Sequence, residues 1–192
     1  MTRLVLASTS PFRRELLQRL GMPFEVIPPE VDETPLPGET PTELVARLSE
    51  AKARAVATRC PDGLVIGSDQ VAVLDGRIIG KPGHHAGAVA QLQAASGRQV
   101  AFLTGLCLLN PATGRVQREV VPYTVVFRSL SDELIHRYLL REQPYNCAGS
   151  FRSEGLGIVL FERQEGEDPS ALIGLPLIRL VRMLEAEGME VV

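Results

Sequence analysis

Two short runs of apolar residues constrain the fold of this chain more than any other feature of its sequence. Residues 4–7 and 64–67 carry no polar side chain, a pattern typical of strands buried on both faces of a parallel sheet. The segment between them repeats apolar residues at helical spacing: Leu44, Leu48, Ala51 and Ala55. Such a stripe buries one face of a helix against a sheet. The sequence therefore predicts a mixed α/β fold, with a central sheet covered by helices.

Capping and turn signals predict where the other elements begin and end. Ser10 before Pro11 begins a helix that is expected to end at Gly21, and a capping box of Thr40 and Glu43 begins a longer one. Asp75-Gly76 predicts a hairpin between strands 71–74 and 77–79. Further strands are predicted over 24–27, 99–110, 115–130 and 158–161, further helices over 84–95, from 131 and over 176–187, and loops over 28–41 and 145–157.

Length and composition exclude several classes of protein. The chain of 192 residues is predicted to form a single domain over 1–192. A formal charge of −3 does not suit a general binder of polymeric nucleic acid, which needs a basic excess. The apolar runs are too short for a membrane span or a secretion signal. The cysteine count of three, with no CxxC pair, favours a reducing, cytoplasmic location over a disulfide framework or a zinc site.

The start of the first predicted helix carries an unusual pair of cations. Arg13 and Arg14 lie in the first turn, where the helix dipole disfavours positive charge. Ser8 and Ser10 add hydroxyl groups beside the free N–H groups of the helix end. This arrangement predicts a phosphate cradle. The alternative is that both arginines are solvated surface residues.

Two lysines are candidates to join that cradle. Lys52 lies one helical turn past Leu48, at the rim of the apolar stripe, from which its ammonium group could reach a cleft. Taken alone, Lys52 is also typical of a surface lysine. Lys81 lies between Gly80 and Pro82 on a short loop after the predicted hairpin, where a cation would be held in a fixed place.

Asp69 is the best catalytic candidate in the sequence. It is predicted to lie just beyond the buried strand 64–67, where α/β folds gather their sites. A carboxylate there can bind a metal ion or take a proton from water, although an aspartate that caps a turn would look the same. Glu30, Asp32 and Glu33 add oxygen ligands of the kind Mg²⁺ prefers, or form a solvated acidic loop.

Several ordered segments resemble a known family, the Maf-like nucleotide pyrophosphatases. The resemblance covers essentially the whole chain. Its segments are Leu4-Val5-Leu6-Ala7-Ser8-Thr9-Ser10-Pro11-Phe12-Arg13-Arg14-Glu15-Leu16-Leu17, Val31-Asp32-Glu33-Thr34, Ile66-Gly67-Ser68-Asp69-Gln70-Val71, Gly80-Lys81-Pro82, Ala148-Gly149-Ser150-Phe151-Arg152-Ser153-Glu154-Gly155 and Gly174-Leu175-Pro176-Leu177.

The resemblance implies a fold, a reaction and a set of site residues. The fold would be ITPase-like, with a cleft between two lobes. The reaction would cleave a nucleoside triphosphate to the monophosphate and pyrophosphate, with Mg²⁺ or Mn²⁺, in a monomer or a homodimer. Asp69 would be the proton acceptor and, with Glu33, a metal ligand. The residues implied to bind phosphate are Ser8, Arg13, Arg14, Lys52 and Lys81.

Three positions separate the branches of that family. The branch acting on dTTP and UTP has arginine, threonine and glutamine where this chain has Phe12, Gln70 and Glu154, and these residues resemble the branch acting on 7-methyl-GTP. Methylation at N7 puts positive charge on guanine, which an aromatic ring can stack on and a carboxylate can attract. The alternative for Phe12 is a core contact of the first helix.

Two other functions fit the same sequence. One is the same hydrolysis with dTTP, UTP or another modified nucleotide. The other is a nucleotide-binding regulator of septum formation with little turnover, a role with which the family is also associated. The full set of Asp69, Glu33, Lys52 and Lys81 favours an enzyme, because a pure binding protein needs no water-activating carboxylate beside a phosphate cluster.

Overall fold

The strands of the protein pair into one mixed sheet of seven strands. The computed structural model describes residues 3–192, and in this range the strand order is β2-β1-β3-β5-β6-β7, with β4 paired to β3. β1 runs parallel to both β2 and β3, whereas β4 and β7 pair antiparallel to β3 and β6. The strands are β1 Arg3–Ala7, β2 Glu25–Val26, β3 Gly63–Leu74, β4 Arg77–Ile79, β5 Gln99–Asn110, β6 Arg115–Phe127 and β7 Phe161–Glu165.

Helices lie between several of these strands, as the sequence predicts. Their bounds are α1 Pro11–Gln18, α2 Pro41–Ala57, α3 His85–Ala95, α4 Asp132–Glu142, α5 Pro169–Ile173 and α6 Leu177–Ala186, with 3-10 helices at Ala148–Ser150 and Leu156–Leu160. Across residues 3–192, none of the helices has both the length and the apolar character that a membrane crossing requires.

The chain divides into two compact units. The first unit comprises the described residues up to Gln70 together with Leu103–Val121 and Asp168–Val192, and the second comprises Val71–Phe102 and Pro122–Glu167. The strands β3, β5 and β6 each continue from one unit into the other. A single domain over 1–192 stays a prediction.

The core of the first unit lies on both faces of its strands. Alternate residues of β1 point to opposite sides, so that Leu4 and Leu6 pack on one face and Val5 and Ala7 on the other. The first face is covered by leucines of α1 and α6, and the second by Ala53 of α2 and its neighbours. Each fully buried leucine contributes about 1.5–3 kcal/mol to folding, so this packing holds α1 and α2 against the sheet.

Two glycines let α2 approach the sheet closely. A Cβ atom on Gly67 of β3 would lie 2.0 Å from the carbonyl oxygen of Ser49, and one on Gly105 of β5 would lie 2.2 Å from that of Val45. Both neighbours belong to the backbone of α2 and cannot rotate away. The missing side chains therefore set the distance between this helix and the sheet.

Four phenylalanines form an aromatic cluster in the second unit. The pairs among them that are in contact have ring centroids 4.9–5.6 Å apart and meet edge to face, an arrangement that aromatic rings prefer. The cluster joins β5, β6 and β7 to the segment after the first 3-10 helix. Its members are Phe102, Phe127, Phe151 and Phe161.

One predicted strand was wrong. Residues 156–160 form a 3-10 helix and β7 begins only at Phe161, where the sequence predicted a strand over 158–161. The backbone here is bound outside a sheet, because the N–H of Leu156 donates to Glu142 and the N–H of Gly157 to the carbonyl of Arg152.

Other differences concern where elements end. The first helix ends at Gln18 rather than at Gly21, since the next N–H groups form tighter i→i−3 bonds. β6 stops at Phe127 instead of residue 130, because the N–H of Leu130 donates to Ser96. The short helix α5 was not predicted, although Asp168 caps its start and Pro169 follows at the first position.

Candidate active site

Side chains of β3 alternate between two faces of the sheet at the proposed site. The predicted strand 64–67 does not end before Ser68, because β3 is continuous from Gly63 to Leu74. Asp69 therefore lies inside the strand and not on a turn beyond it. The period of two places Asp69 on the side of Gly67, facing α2, and places Ser68 and Gln70 on the opposite side.

A buried ion pair joins Asp69 to Lys52. The Lys52 Nζ atom donates to Asp69 Oδ1 at 2.7 Å, and the two residues are only 6% and 8% exposed. The alternative for Lys52, a surface lysine, is therefore wrong. The ammonium also pairs with Glu33 Oε1 at 2.8 Å, so one cation lies between two carboxylates. A buried charge needs such partners, because transferring it from water unpaired costs several kcal/mol.

Helix α2 carries Lys52 into this position. Its capping box is present as predicted, since Thr40 and Glu43 exchange hydrogen bonds at the start of the helix. Ser49, Lys52 and Val56 follow at spacings of three and four residues and are all buried, which places them on the face against the sheet. The lysine stem packs there while its ammonium reaches Asp69.

Arg13 lies in electrostatic reach of these carboxylates. Burial lowers the pKa of Arg13, whereas the charges of Asp69 and Glu33 raise it. Ser10 caps α1 and accepts from the Arg13 backbone N–H at 3.4 Å. The Arg13 Nε atom donates to the carbonyl of Gly174 at 2.8 Å, which orients the guanidinium group. The remaining Nη donors of the fork can serve an anion.

The other predicted residues of the N-terminal cradle differ in exposure. Ser8 is buried and its hydroxyl accepts from the N–H of Ser10 at 3.1 Å. Arg14 is exposed on α1, and Phe12 is half-buried at the second position of the same helix.

The three acidic residues of the loop before α2 differ in their contacts. Asp32 accepts from the N–H of Thr34 at 2.9 Å, and Glu30 is exposed. Of the three, Glu33 is the one that pairs with Lys52.

The opposite face of β3 binds the end of α5. The Gln70 amide nitrogen donates to Thr104 Oγ1 at 2.9 Å and to the carbonyl of Ala171 at 2.7 Å. The Ser68 hydroxyl donates to the carbonyl of Gly174 at 3.0 Å. Sequence reasoning missed the roles of Ser68, Thr104 and Gly174. For Ser68 and Thr104, the sequence signal that could have indicated these roles is a polar side chain inside a run of buried strand residues.

Two further candidates lie in the second unit. Lys81 is exposed on the loop after β4, and the N–H of Gly83 ties this loop to the carbonyl of Tyr145 at 3.0 Å. Glu154 pairs with Arg152 at 3.5 Å. Burial raises the pKa of the Cys147 thiol, with Glu154 raising it and Lys81 lowering it. Lys81 and Glu154 are thus both in electrostatic reach of one thiol.

Asp69 and Glu33 offer carboxylate ligands that suit a divalent cation which also binds the phosphates of a substrate. Asp69 and Glu33 converge on one ammonium group, and their oxygens are of the type Mg²⁺ prefers. Over residues 3–192, no group of three or more His, Cys, Asp or Glu side chains is arranged to hold a metal by itself. This donor set fits an ion that completes its coordination with phosphate and water.

Comparison with known proteins gives the family of the chain. The model of the Maf-like protein family matches residues 3–187. A 7-methyl-GTP pyrophosphatase of Nitrosococcus oceani is 60% identical over 185 residues, covering 96% of this chain and 93% of that protein. One of Pseudomonas aeruginosa is 58% identical over the full length of both chains, and one of Nitrosospira multiformis is 56% identical over 99% of this chain and 96% of its own.

A solved structure supports the fold. The Ham1 protein of Staphylococcus aureus superposes with a TM-score of 0.52 at 17% identity, covering 97% of this chain and 100% of that one. Together with the central sheet and its helices, this likeness confirms the predicted α/β fold class. The match of the family model over nearly the whole sequence, and the identity with full-length relatives, establish that the chain belongs to the Maf-like protein family.

Proposed function

We propose that this protein is a nucleoside triphosphate pyrophosphatase that hydrolyses 7-methyl-GTP to 7-methyl-GMP and pyrophosphate, removing a modified nucleotide. The observation that carries the proposal is the buried Asp69–Lys52 ion pair, which the exposed Glu33 joins through the same ammonium group, with Arg13 in electrostatic reach. Relatives named 7-methyl-GTP pyrophosphatase, at 55–60% identity over nearly the whole chain, support the choice of substrate.

Asp69 is the proposed proton acceptor. Lys52 donates to its Oδ1 atom, which leaves Oδ2 to accept a proton from a water molecule. The water oxygen then forms a bond to the α-phosphorus, and the bond from that phosphorus to the oxygen bridging to the β-phosphate breaks. The electron pair of the broken bond stays with the leaving pyrophosphate, and the proton stays on Asp69 until it exchanges with solvent.

Cationic side chains are proposed to stabilise the phosphates. Charge grows on the leaving pyrophosphate as the bond breaks, and fixed cations stabilise that charge more strongly than water does. Arg13 is held by the Gly174 carbonyl through Nε, so its Nη atoms are the proposed phosphate donors. The same role is proposed for Arg14, Lys52 and Lys81, and the Ser8 hydroxyl group is proposed to bind phosphate as an uncharged donor.

A divalent cation is proposed as cofactor. Asp69 and Glu33 would hold Mg²⁺ or Mn²⁺, since each has a carboxylate oxygen within 2.8 Å of the same Lys52 ammonium group. When bound, such an ion neutralises phosphate charge and polarises the phosphoryl oxygens.

Three residues are proposed to select the base. Phe12 would stack on the positively charged ring of 7-methylguanine, and Glu154 would accept from its N1–H and amino group. The amide nitrogen of Gln70 already donates within the first unit. Its oxygen Oε1 is therefore the group proposed to face the base.

The protein is proposed to act in the cytoplasm, as a monomer or a homodimer. Cys60, Cys107 and Cys147 are all free thiols, which suits a reducing compartment. A small-molecule nucleotide is the proposed partner, and the formal charge of −3 argues against polymeric nucleic acid.

The test of this function compares pyrophosphate release from a panel of triphosphates. The wild-type protein is expected to prefer 7-methyl-GTP over GTP, dTTP and UTP in kcat/KM. Glu154→Gln is expected to lose about tenfold of the preference for 7-methyl-GTP over GTP. Both bases offer the same N1–H and amino donors, but only the methylated ring carries the positive charge that the carboxylate attracts, by about 1–4 kcal/mol at a separation of about 4 Å. Glu162→Gln, which removes an exposed charge in the same unit, is the matched control and should leave the preference unchanged.

Other outcomes separate the alternatives. Faster turnover of dTTP or UTP than of 7-methyl-GTP would show that the protein catalyses the same hydrolysis on a nucleotide with another base. A triphosphate that is retained but never consumed would identify a binding protein and refute the proposed hydrolysis. An unchanged preference in Glu154→Gln would remove Glu154 from the base site.

A further inference from the structure

The C-terminal end of α5 is bound by side chains from β3 and β5. A helix leaves its last carbonyl groups without partners in its own backbone. Here the carbonyl of Ala171 accepts from both Gln70 and Thr104, at 2.7 and 2.9 Å. The carbonyl of Gly174, the residue after the helix, accepts from Ser68. The end of α5 is therefore fixed to the strand that carries Asp69.

The start of the same helix is also fixed. Asp168 is 2% exposed and caps α5 by accepting from the N–H of Ser170 at 3.1 Å. Its second oxygen accepts from the N–H of Ile178 at 2.9 Å, at the start of α6. Both ends of α5 are therefore bound, whereas the direction of the Gly174 carbonyl, one residue beyond the helix, depends on the side-chain donors that it meets.

Two donors meet at the Gly174 carbonyl oxygen. Arg13 Nε lies 2.8 Å from it and Ser68 Oγ 3.0 Å, which suits the two lone pairs of one carbonyl. Gly174 itself has a φ of +127°, in the region that favours glycine. The carbonyl thus links the side chain of Ser68, one residue before Asp69, to the guanidinium group of Arg13.

We propose that Ser68 is a positioning residue that orients Arg13 through the Gly174 carbonyl. Ser68 and Asp69 are neighbours on β3, and their side chains point to opposite faces. One strand therefore sets both the place of the proposed proton acceptor and, through the α5 end, the direction of the proposed phosphate-binding arginine. The inference rests on the proposed function of Arg13, and it assigns Ser68 no contact with the nucleotide.

Loss of the Ser68 hydroxyl should affect the chemical step more than substrate binding. Without that donor, the Gly174 carbonyl keeps only Arg13 and can turn with it. The guanidinium group would then stabilise the growing phosphate charge less well, which lowers kcat and kcat/KM together while KM changes little. Ser68→Ala is expected to lower kcat about tenfold, with KM within about twofold of the wild-type value.

A double-mutant cycle tests the route through Arg13. Ser68→Ala, Arg13→Ala and the double variant are compared with the wild type for kcat and KM with 7-methyl-GTP. In the Arg13→Ala background, Ser68→Ala is expected to lower kcat by less than about twofold, because the group that it orients is gone. If Ser68→Ala lowers kcat by the same factor in the two backgrounds, the proposal is overturned. A Ser68→Ala variant with the wild-type kcat would also overturn it.

A matched control separates positioning from stability. Ser49→Ala removes another fully buried serine hydroxyl that donates to a backbone carbonyl, at 2.9 Å from Ala46, but it leaves the Gly174 carbonyl untouched. It should match Ser68→Ala in thermal stability and retain the wild-type kcat. If Ser49→Ala lowers kcat as much as Ser68→Ala does, the loss of kcat comes from lower stability and the positioning role is overturned.

A binding measurement distinguishes this inference from the proposed reaction. If the wild-type protein releases pyrophosphate from no triphosphate, the proposed function fails. Calorimetric titration of the same four proteins with inorganic pyrophosphate then reads the orientation of Arg13 without turnover. If Ser68→Ala weakens the affinity for pyrophosphate only when Arg13 is present, the inference is upheld. Equal weakening in both backgrounds, or no pyrophosphate binding by the wild type, would overturn it.

Discussion

Asp69→Asn is expected to lower kcat about a thousandfold while the protein keeps its fold. The amide has nearly the shape of the carboxylate and can still accept from Lys52, which lies 2.7 Å from Oδ1. Glu33 remains beside the same ammonium group at 2.8 Å, so the buried cation keeps an anionic partner. An amide cannot take a proton from water, however, and loss of a general base costs about 10²–10⁴-fold in rate. The measurement is kcat for pyrophosphate release at saturating 7-methyl-GTP.

A second aspartate provides the control for this change. Asp75 lies in the exposed hairpin turn of the second unit with a φ of +49°, a conformation that asparagine also tolerates. Asp75→Asn should therefore keep both the wild-type kcat and the melting temperature. If Asp69→Asn turns over as fast as Asp75→Asn, Asp69 does not accept the proton. If Asp69→Asn loses its circular dichroism signal, the loss of rate is a loss of fold.

Gly67→Ala is expected to destabilise the protein by about 3 kcal/mol or more. The new Cβ atom would lie 2.0 Å from the Ser49 carbonyl oxygen and 2.8 Å from the Ala53 nitrogen. Both atoms belong to the backbone of α2, so the helix must move away from the sheet. That movement opens the core on this face and withdraws Lys52 from Asp69. For a chain of this length, 3 kcal/mol corresponds to a fall in Tm of about 6–12 °C.

A glycine in open space is the matched control for that substitution. A Cβ atom on Gly80 would meet no atom within 4 Å, and the residue needs no positive φ. Gly80→Ala should therefore leave Tm unchanged or raise it slightly, since alanine restricts the unfolded chain. Thermal melts of the two variants beside the wild type make the comparison. A Gly67→Ala protein that melts with the wild type would show that α2 does not rest on the sheet at this glycine.

Local chemistry made part of the fold predictable from the sequence. Ser10 and Thr40 begin their helices by bonding N–H groups three residues away, and Asp75-Gly76 turns the hairpin with two positive φ angles. Each of these signals involves residues no more than three positions apart in the chain. The fold class and the starts of these helices could be predicted for that reason, without knowledge of tertiary contacts.

Contacts between distant residues made the rest unpredictable. Polar residues inside β3 looked like the end of a strand, yet Ser68 is satisfied by Gly174, 106 positions away. Lys52 resembled a surface lysine because its partner Asp69 lies 17 positions further along the chain. Burial of a polar side chain depends on such partners, and the sequence alone does not name them. The prediction of a strand over 158–161 failed for the same reason, since the N–H of Leu156, just before it, donates to Glu142, 14 positions away.

Hydrolysis in water enriched in ¹⁸O tests the central claim most directly, because the label reports which phosphorus the solvent attacks. If Asp69 directs water to the α-phosphorus, mass spectrometry after one turnover will find ¹⁸O in 7-methyl-GMP and none in pyrophosphate. Label in pyrophosphate would place the attack on the β-phosphorus, and release of orthophosphate with a nucleoside diphosphate would place the cleavage elsewhere in the triphosphate. Either result would contradict the proposed mechanism.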